Sequence, residues 1–276
     1  MRPNVQTFIG CGAAYDDAKF ALFGAPFDST TSFRPGARFA SQAMRAESVG
    51  IETFSPYQNH GLEELAVFDA GDLELPFGNA ARALEKIENF AASVLGDGKI
   101  PVMIGGEHLV TLGAVRAAAK RNKDMAVIHF DAHADLRDEY MGEALSHATV
   151  MRRVWDILGD GSIYQFGIRS GSGSEFEWAE KHVETERFKA LTIENAIAKT
   201  SGRPLYVTLD LDVLDPSEFP GTGTPEAGGL SFTELLAAIM KLSGGNVAGF
   251  DVCELSPHYD ASGISTAAAC KILREM

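Results

Sequence analysis

The sequence predicts a three-layer α/β/α sandwich built on an eight-stranded, mainly parallel sheet, and three observations carry that expectation. Short apolar runs rich in Val, Ile, Leu and Phe recur along the chain, and near-continuous runs of this kind mark strands buried on both faces. Segments with helical spacing lie between the runs, as helices packed over a parallel sheet require. No low-complexity linker, charge block or repeat interrupts the 276 residues, so residues 1–276 read as one domain.

Eight candidate strands begin near Lys19, Leu65, Ile100, Met125, Ile163, Glu186, Pro204 and Val247. A helix is expected over 79–96, where Ala83, Leu84, Ile87, Phe90, Ala91, Val94 and Leu95 make one apolar stripe. Another is expected over 231–243, with Ser231 and Glu234 spaced as a capping box. Further helices are expected near 36–49, 108–122, 146–158 and 262–274.

Charge narrows the function. Lys+Arg 24 against Asp+Glu 38 leaves −14, a balance that repels nucleic-acid phosphates and anionic membrane surfaces and suits cationic partners. No apolar stretch reaches the roughly 18 residues of a membrane span, and the N-terminal segment has no apolar core of the kind a secretory signal needs. The three cysteines, Cys11, Cys253 and Cys270, are widely spaced and form no C-x-x-C, so neither a disulfide framework nor a thiolate zinc site is expected. A reducing cytoplasm fits that pattern.

Carboxylates and histidines gather at three strand ends: Gly105-Gly-Glu-His108, His129-Phe-Asp-Ala-His-Ala-Asp135 and Asp210-Leu-Asp-Val-Leu-Asp215. Alternation along a strand would put 131, 133 and 135 on one face, and 210 with 212. Parallel strands end at one edge of a sheet, where ligands of open α/β sheets bind, so all three ends point to one crevice. An isolated Asp at a strand end, such as Asp72 or Asp215, is ordinarily a turn former or helix cap, and His129, inside an apolar run, reads as a satisfied core histidine. Four converging carboxylates with no Lys or Arg in either motif are another matter, because their repulsion and desolvation would cost several kcal/mol without a counter-ion. Asp131, Asp135, Asp210 and Asp212 are hard oxygen donors and His108 and His133 add imidazole, a set that favours Mn²⁺. Six ligands exceed what one catalytic ion can use, so two ions sharing carboxylates are expected, and such a pair activates water for hydrolysis.

Together with Ser146-His147, Asp210-Leu-Asp-Val-Leu-Asp-Pro216 and Glu254-Leu-Ser-Pro257, these motifs resemble the ureohydrolase family in order and approximate spacing, and its agmatinase branch in particular. Ser32-Phe-Arg-Pro-Gly-Ala-Arg38 and Pro220-Gly-Thr-Gly-Thr224 extend the likeness over nearly the whole chain. The resemblance implies an arginase-like fold, two Mn²⁺ per chain, a homo-oligomer (hexamer or trimer), and hydrolysis of agmatine to putrescine and urea. By position it implies that His108, Asp131, Asp135 and Asp210 hold one ion and Asp131, His133, Asp210 and Asp212 the other. It further implies catalytic roles for His147, which shuttles protons, and for Glu254, which binds the guanidinium; Asp135 is expected, as a catalytic residue, to orient the nucleophile. Glu107 departs from the family, where many members have Asp; preceding His108, it is expected to affect orientation of the site more than metal content.

Substrate choice follows from the segment 136–146, where Asp138, Glu139 and Glu143 outnumber Arg137 and favour a dication over a carboxylate. Guanidinobutyrate or another guanidino compound stands behind agmatine, and a non-catalytic, metal-stabilised family member is the alternative from another class. A zinc deacetylase-like amidohydrolase would need a tandem histidine pair that the chain lacks.

Overall fold

The structure, a computed structural model, describes residues 6–276; residues 1–5, where the segment read as lacking a secretory signal begins, lie outside the described residues. Eight strands make the main sheet: β1 Phe20–Gly24, β2 Val67–Asp72, β3 Ile100–Ile104, β4 Ala126–Phe130, β5 Ile163–Ile168, β6 Glu184–Arg187, β7 Pro204–Asp210 and β8 Asn246–Cys253. Their order is β2-β1-β3-β8-β7-β4-β5-β6, and every neighbouring pair is parallel. The sheet is therefore wholly parallel, as its doubly buried apolar runs require.

Side chains alternate into two cores. Leu22, Val102, Ile104, Ile128, Phe130, Val207 and Val252 face one side, covered by α1 Ala40–Glu47, α6 Ile193–Lys199, α7 Phe232–Lys241 and α8 Ile264–Glu275. Phe23, Met103, Val127 and Tyr206 face the other, under α2 Ala80–Gly96, α3 Thr111–Arg121, α4 Val150–Leu158 and α5 Gly173–His182. The expected stripe of α2 is buried at Ala83, Leu84, Ile87, Ala91, Val94 and Leu95, and Ser231 and Glu234 form the expected capping box of α7.

Two expectations need correction. The sixth strand is Glu184–Arg187, upstream of the apolar run that suggested it; Phe188 lies at φ 66° and Phe188 and Leu191 are exposed. This strand forms a sheet edge, where charged residues discourage further pairing. The helices α5 and α6 were not anticipated, since each buries few apolar residues, although Ser172 and Glu175 do carry a capping box for α5.

The long step from β3 to β4 leaves β8 and β7 between them, so the four central strands are β3, β8, β7 and β4. Their carboxyl ends lead into His108, Glu254, Asp210 with Asp212, and Asp131 with Asp135.

Candidate metal centre

Strand alternation is not what gathers the ligands. β4 stops at Phe130 and β7 at Asp210, so Asp131, His133, Asp135 and Asp212 sit on turns beyond the ladder. The turns are held by these carboxylates, each by its own and one by the other's. The Asp212 amide donates to Asp210 Oδ1 at 2.9 Å, the Ala132 amide to Asp212 Oδ1 at 3.1 Å, and the His133 amide to Asp131 Oδ1 at 2.6 Å. Arg169 ties the turn after β7 by donating to the carbonyls of Asp212, Val213 and Leu214. Asp135 and Glu254 adopt left-handed backbone at φ 54° and 65°, which costs a non-glycine residue roughly 1–2 kcal/mol. Such strain is characteristic of functional positions.

The donors form two groups joined by one residue. His108 Nδ1 lies 3.0 Å from Asp131 Oδ2, 3.2 Å from Asp135 Oδ2 and 3.3 Å from Asp210 Oδ2. His133 Nδ1 lies 3.1 Å from Asp212 Oδ2 and 3.4 Å from Asp131 Oδ1. Asp131 thus offers one oxygen to each group. Donors around one octahedral ion at roughly 2.1 Å stand about 3 Å apart, which is the spacing seen. No Lys or Arg pairs with these carboxylates among the described residues.

Hydrogen-bond logic decides which nitrogen of His108 faces the group. Thr208 Oγ1 lies 2.7 Å from Asp251 Oδ1 and 2.9 Å from His108 Nε2. A carboxylate only accepts, so the single hydroxyl proton of Thr208 goes to Asp251, and Thr208 must accept from His108 Nε2–H. A neutral imidazole protonated there turns the Nδ1 lone pair toward three carboxylates, and that buried atom has no hydrogen-bond partner. Such an arrangement is repulsive until a cation occupies it, and it is the observation that fits the donor set to metal.

Without an ion the cluster relieves that repulsion by binding protons instead. Burial and the Asp131 charge push Asp135 up to about 7, and burial with Asp212 and Asp131 pushes Asp210 well above the carboxylate range. Burial opposes protonation of His108 and His133, but the surrounding carboxylates hold both imidazoles well above their usual pKa. Hydrogen bonds from His108, His129 and His133 outweigh burial at Asp131 and hold it well below.

His129 is the satisfied core histidine its place in an apolar run suggests. Its proximity to His108 and Asp131 resembles a ligand group, but Gln165 Nε2 donates to its Nδ1 at 3.0 Å, so Nε2 carries the proton and donates to Asp131 Oδ2 at 2.9 Å. What the sequence did not reveal is that His129 thereby orients Asp131. Asp251, Thr208, His129, Gln165 and Thr185 are successive register partners across five strands, a polar row buried beneath the cluster. Asp215 forms the expected turn by accepting from the Ser217 amide, and it also accepts from the more distant amides of Gly228 and Gly229. Asp72 does not: it pairs with Arg45.

A cavity of about 260 Å³ opens over the cluster, lined by His108, His133, Asp135, His147, Asp210 and Glu254 among others. That is below the roughly 300–1,000 Å³ of drug-sized pockets and suits a small ligand. Glu254, 7% exposed, accepts from the His108 amide at 2.8 Å and has no cationic partner among the described residues; burial and the charges of Glu107 and Asp212 push it well above its usual range. Burial holds His147 below its usual value. The acids of the 136–146 segment do not behave as expected: Asp138 pairs with Arg153, Glu139 and Glu143 point to solvent, and Arg137 with Tyr140 lines the cavity.

A parallel α/β sheet thus carries a His/Asp cluster that could hold metal at the carboxyl ends of its central strands. Comparison with known proteins makes this specific. Residues 18–276 match the Arginase family. The chain is 46% identical over 275 residues to an agmatinase of Bacillus anthracis, covering 98% of this chain and 95% of that protein, and 34% identical to a guanidinobutyrase of Pseudomonas aeruginosa, covering 99% and 89%. A solved structure of a putative agmatinase from Clostridium difficile superposes with TM-score 0.92 at 49% identity, covering 95% of this chain and 96% of that one. The chain belongs to the arginase family of metal-dependent ureohydrolases and is a ureohydrolase enzyme.

Proposed function

We propose that this protein hydrolyses agmatine to putrescine and urea with two Mn²⁺ ions held by His108, Asp131, Asp135 and Asp210 on one side and Asp131, His133, Asp210 and Asp212 on the other. The observation that carries the reading is Glu254: a buried carboxylate without a cation, at the wall of a cavity that also exposes the metal donors. The agmatinase relatives support the substrate. Bound at these donors, the ion pair supplies water of lowered pKa and stabilises developing negative charge.

The remaining work falls to side chains. Glu254 meets the planar guanidinium through paired N–H bonds, fixing both its charge and the position of its central carbon. Asp135 accepts a hydrogen bond from the attacking water and orients it. The water oxygen bonds to the guanidinium carbon and gives a proton to the neutral His147; as the C–N bond breaks, its electron pair goes to the departing nitrogen, and His147 passes that proton on so that the nitrogen leaves as an amine. The chain acts as a single domain over residues 1–276, in a cytoplasmic homo-oligomer, hexameric or trimeric.

A second reading rests on Arg137 at the cavity wall, where a substrate carboxylate would find a cation; guanidinobutyrate then replaces agmatine. Arg137 already pairs with Glu175 at 3.3 Å, which favours agmatine. Urea release after incubation with Mn²⁺ and agmatine, arginine or guanidinobutyrate separates the readings. Turnover of agmatine above the others is expected; preference for guanidinobutyrate gives the second reading, and no urea from any guanidino compound defeats both.

A further inference from the structure

Glu107 is fully buried one residue before His108, and no Lys or Arg pairs with it among the described residues. Its carboxylate reaches across to the segment after β1. The Thr30 amide donates to Glu107 Oε2 at 2.8 Å, the Thr30 hydroxyl to Oε1 at 2.6 Å, and the Thr31 hydroxyl to Oε2 at 3.3 Å. The backbone reinforces this crossing: the Glu107 amide donates to the Phe27 carbonyl at 2.8 Å. A Cβ on Gly106 would sit 1.9 Å from that same oxygen, so the two segments touch without room for a side chain.

The far side of Thr30 faces His147. Having given its one hydroxyl proton to Glu107, Thr30 Oγ1 can only accept, and the His147 amide donates to it at 3.0 Å. Two residues on, Ser32 Oγ lies 3.3 Å from His147 Nε2, while Ser146 Oγ lies 3.2 Å from Nδ1 and the Tyr140 ring meets the imidazole edge-on at 5.6 Å. One buried carboxylate therefore anchors the segment that grips His147 at its backbone and at its ring.

We propose that Glu107 is a positioning residue for His147: through Thr30 and Ser32 it sets the imidazole where it passes a proton to the departing amine. This rests on the role given to His147 above, and it assigns Glu107 to proton delivery rather than to metal retention.

Glu107→Gln replaces one acceptor by an NH₂ group facing the Thr30 donors. Misplacing a catalytic group costs up to about 100-fold in rate, so a loss of at least about 10-fold in kcat for agmatine is expected, with KM changed less than about threefold, because substrate binding is untouched. Metal analysis should still find two Mn²⁺ per chain. The deciding measurement is the cycle with His147→Ala, which alone should lower kcat by roughly 100-fold or more. In that background Glu107→Gln should add less than about twofold, since it has nothing left to position. Multiplicative losses, or loss of manganese from Glu107→Gln, overturn the proposal. Full activity of His147→Ala defeats instead the role of His147 itself, and the proposal with it. Thr30→Val, which removes the connecting hydroxyl but not the buried charge, must show the same coupling, and so decides the matter should Glu107→Gln not fold.

Discussion

Thr208 and Asp251 are register partners on β7 and β8, and their side chains meet at 2.7 Å between Oγ1 and Oδ1. Asp251 Oδ2 also receives the Tyr206 hydroxyl at 2.7 Å, so the carboxylate is an acceptor on both sides and fixes the direction of every bond that leads to His108. Removing the Thr208 hydroxyl frees the imidazole from its preferred tautomer. Thr208→Val is expected to keep the fold and weaken Mn²⁺ binding by about 10–100-fold, the usual effect of deleting such a partner. Chelator competition on the purified variant measures it, and unchanged affinity would show that the carboxylates alone orient His108.

Because Asp131 offers one oxygen to each group of donors, its loss should strip both. Chelation should abolish activity and Mn²⁺ restore it, while Asp131→Ala should retain no stoichiometric manganese. Asp210 reaches His108 in the structure, and its expected sharing predicts the same for Asp210→Ala. Two ions per chain by elemental analysis in either variant would refute the sharing.

The ion-free protein should be more stable in mild acid than in mild base. Burial pushes Glu107 and Asp135 up to about 7 and pushes Asp210 and Glu254 well above their ordinary range; His108 and His133 are also raised. Each of these binds its proton more tightly folded than unfolded, so each loses stability as pH rises through the interval between those values. His129 and His147, lowered chiefly by burial, act in the opposite sense below their ordinary pKa, but they are outnumbered. Melting temperature without metal should therefore fall between about pH 6 and pH 8, and Mn²⁺ should flatten that dependence by replacing the protons. A metal-free Tm that rises over the same interval would contradict the assignment of these acids to one cation site.

The six expected donors lie in three short local motifs, which is why the sequence could point them to one crevice, and apolar runs carried all but one of the strands to their places. The sixth strand was displaced because Phe188 and Leu191 look like core residues and are not; an edge strand of charged residues leaves no periodic signal. What holds the donors was not legible. Thr208, Asp251 and Gln165 are single polar residues inside apolar runs, and only the pairing of strands distant in sequence brings them beneath His108 and Asp131. The acids after Asp135 misled for a related reason: counting charge in a loop says nothing of direction, and Asp138 turned outward to Arg153.

The expectation for Glu254 is the most direct test of the proposed chemistry. Its Oε1 accepts the His108 amide, a bond that Glu254→Gln can keep through its own carbonyl oxygen, so the turn and the metal donors should survive the substitution. What the amide lacks is charge. A desolvated pair between a carboxylate and a guanidinium, once broken, costs on the order of 2–5 kcal/mol, whereas a solvent-exposed ion pair is worth under about 1 kcal/mol. Glu254 is buried and unpaired, so the larger figure applies, and Glu254→Gln should lose at least about 30-fold in kcat/KM for agmatine, the factor that 2 kcal/mol implies. The same variant should gain thermal stability in the metal-free state as pH rises above the ordinary carboxylate range, because an acid whose pKa is raised by burial, and then by Glu107 and Asp212, has been removed. Steady-state kinetics on the manganese-loaded variant, with its metal content measured, decide the matter: near-wild-type turnover would take Glu254 out of substrate binding.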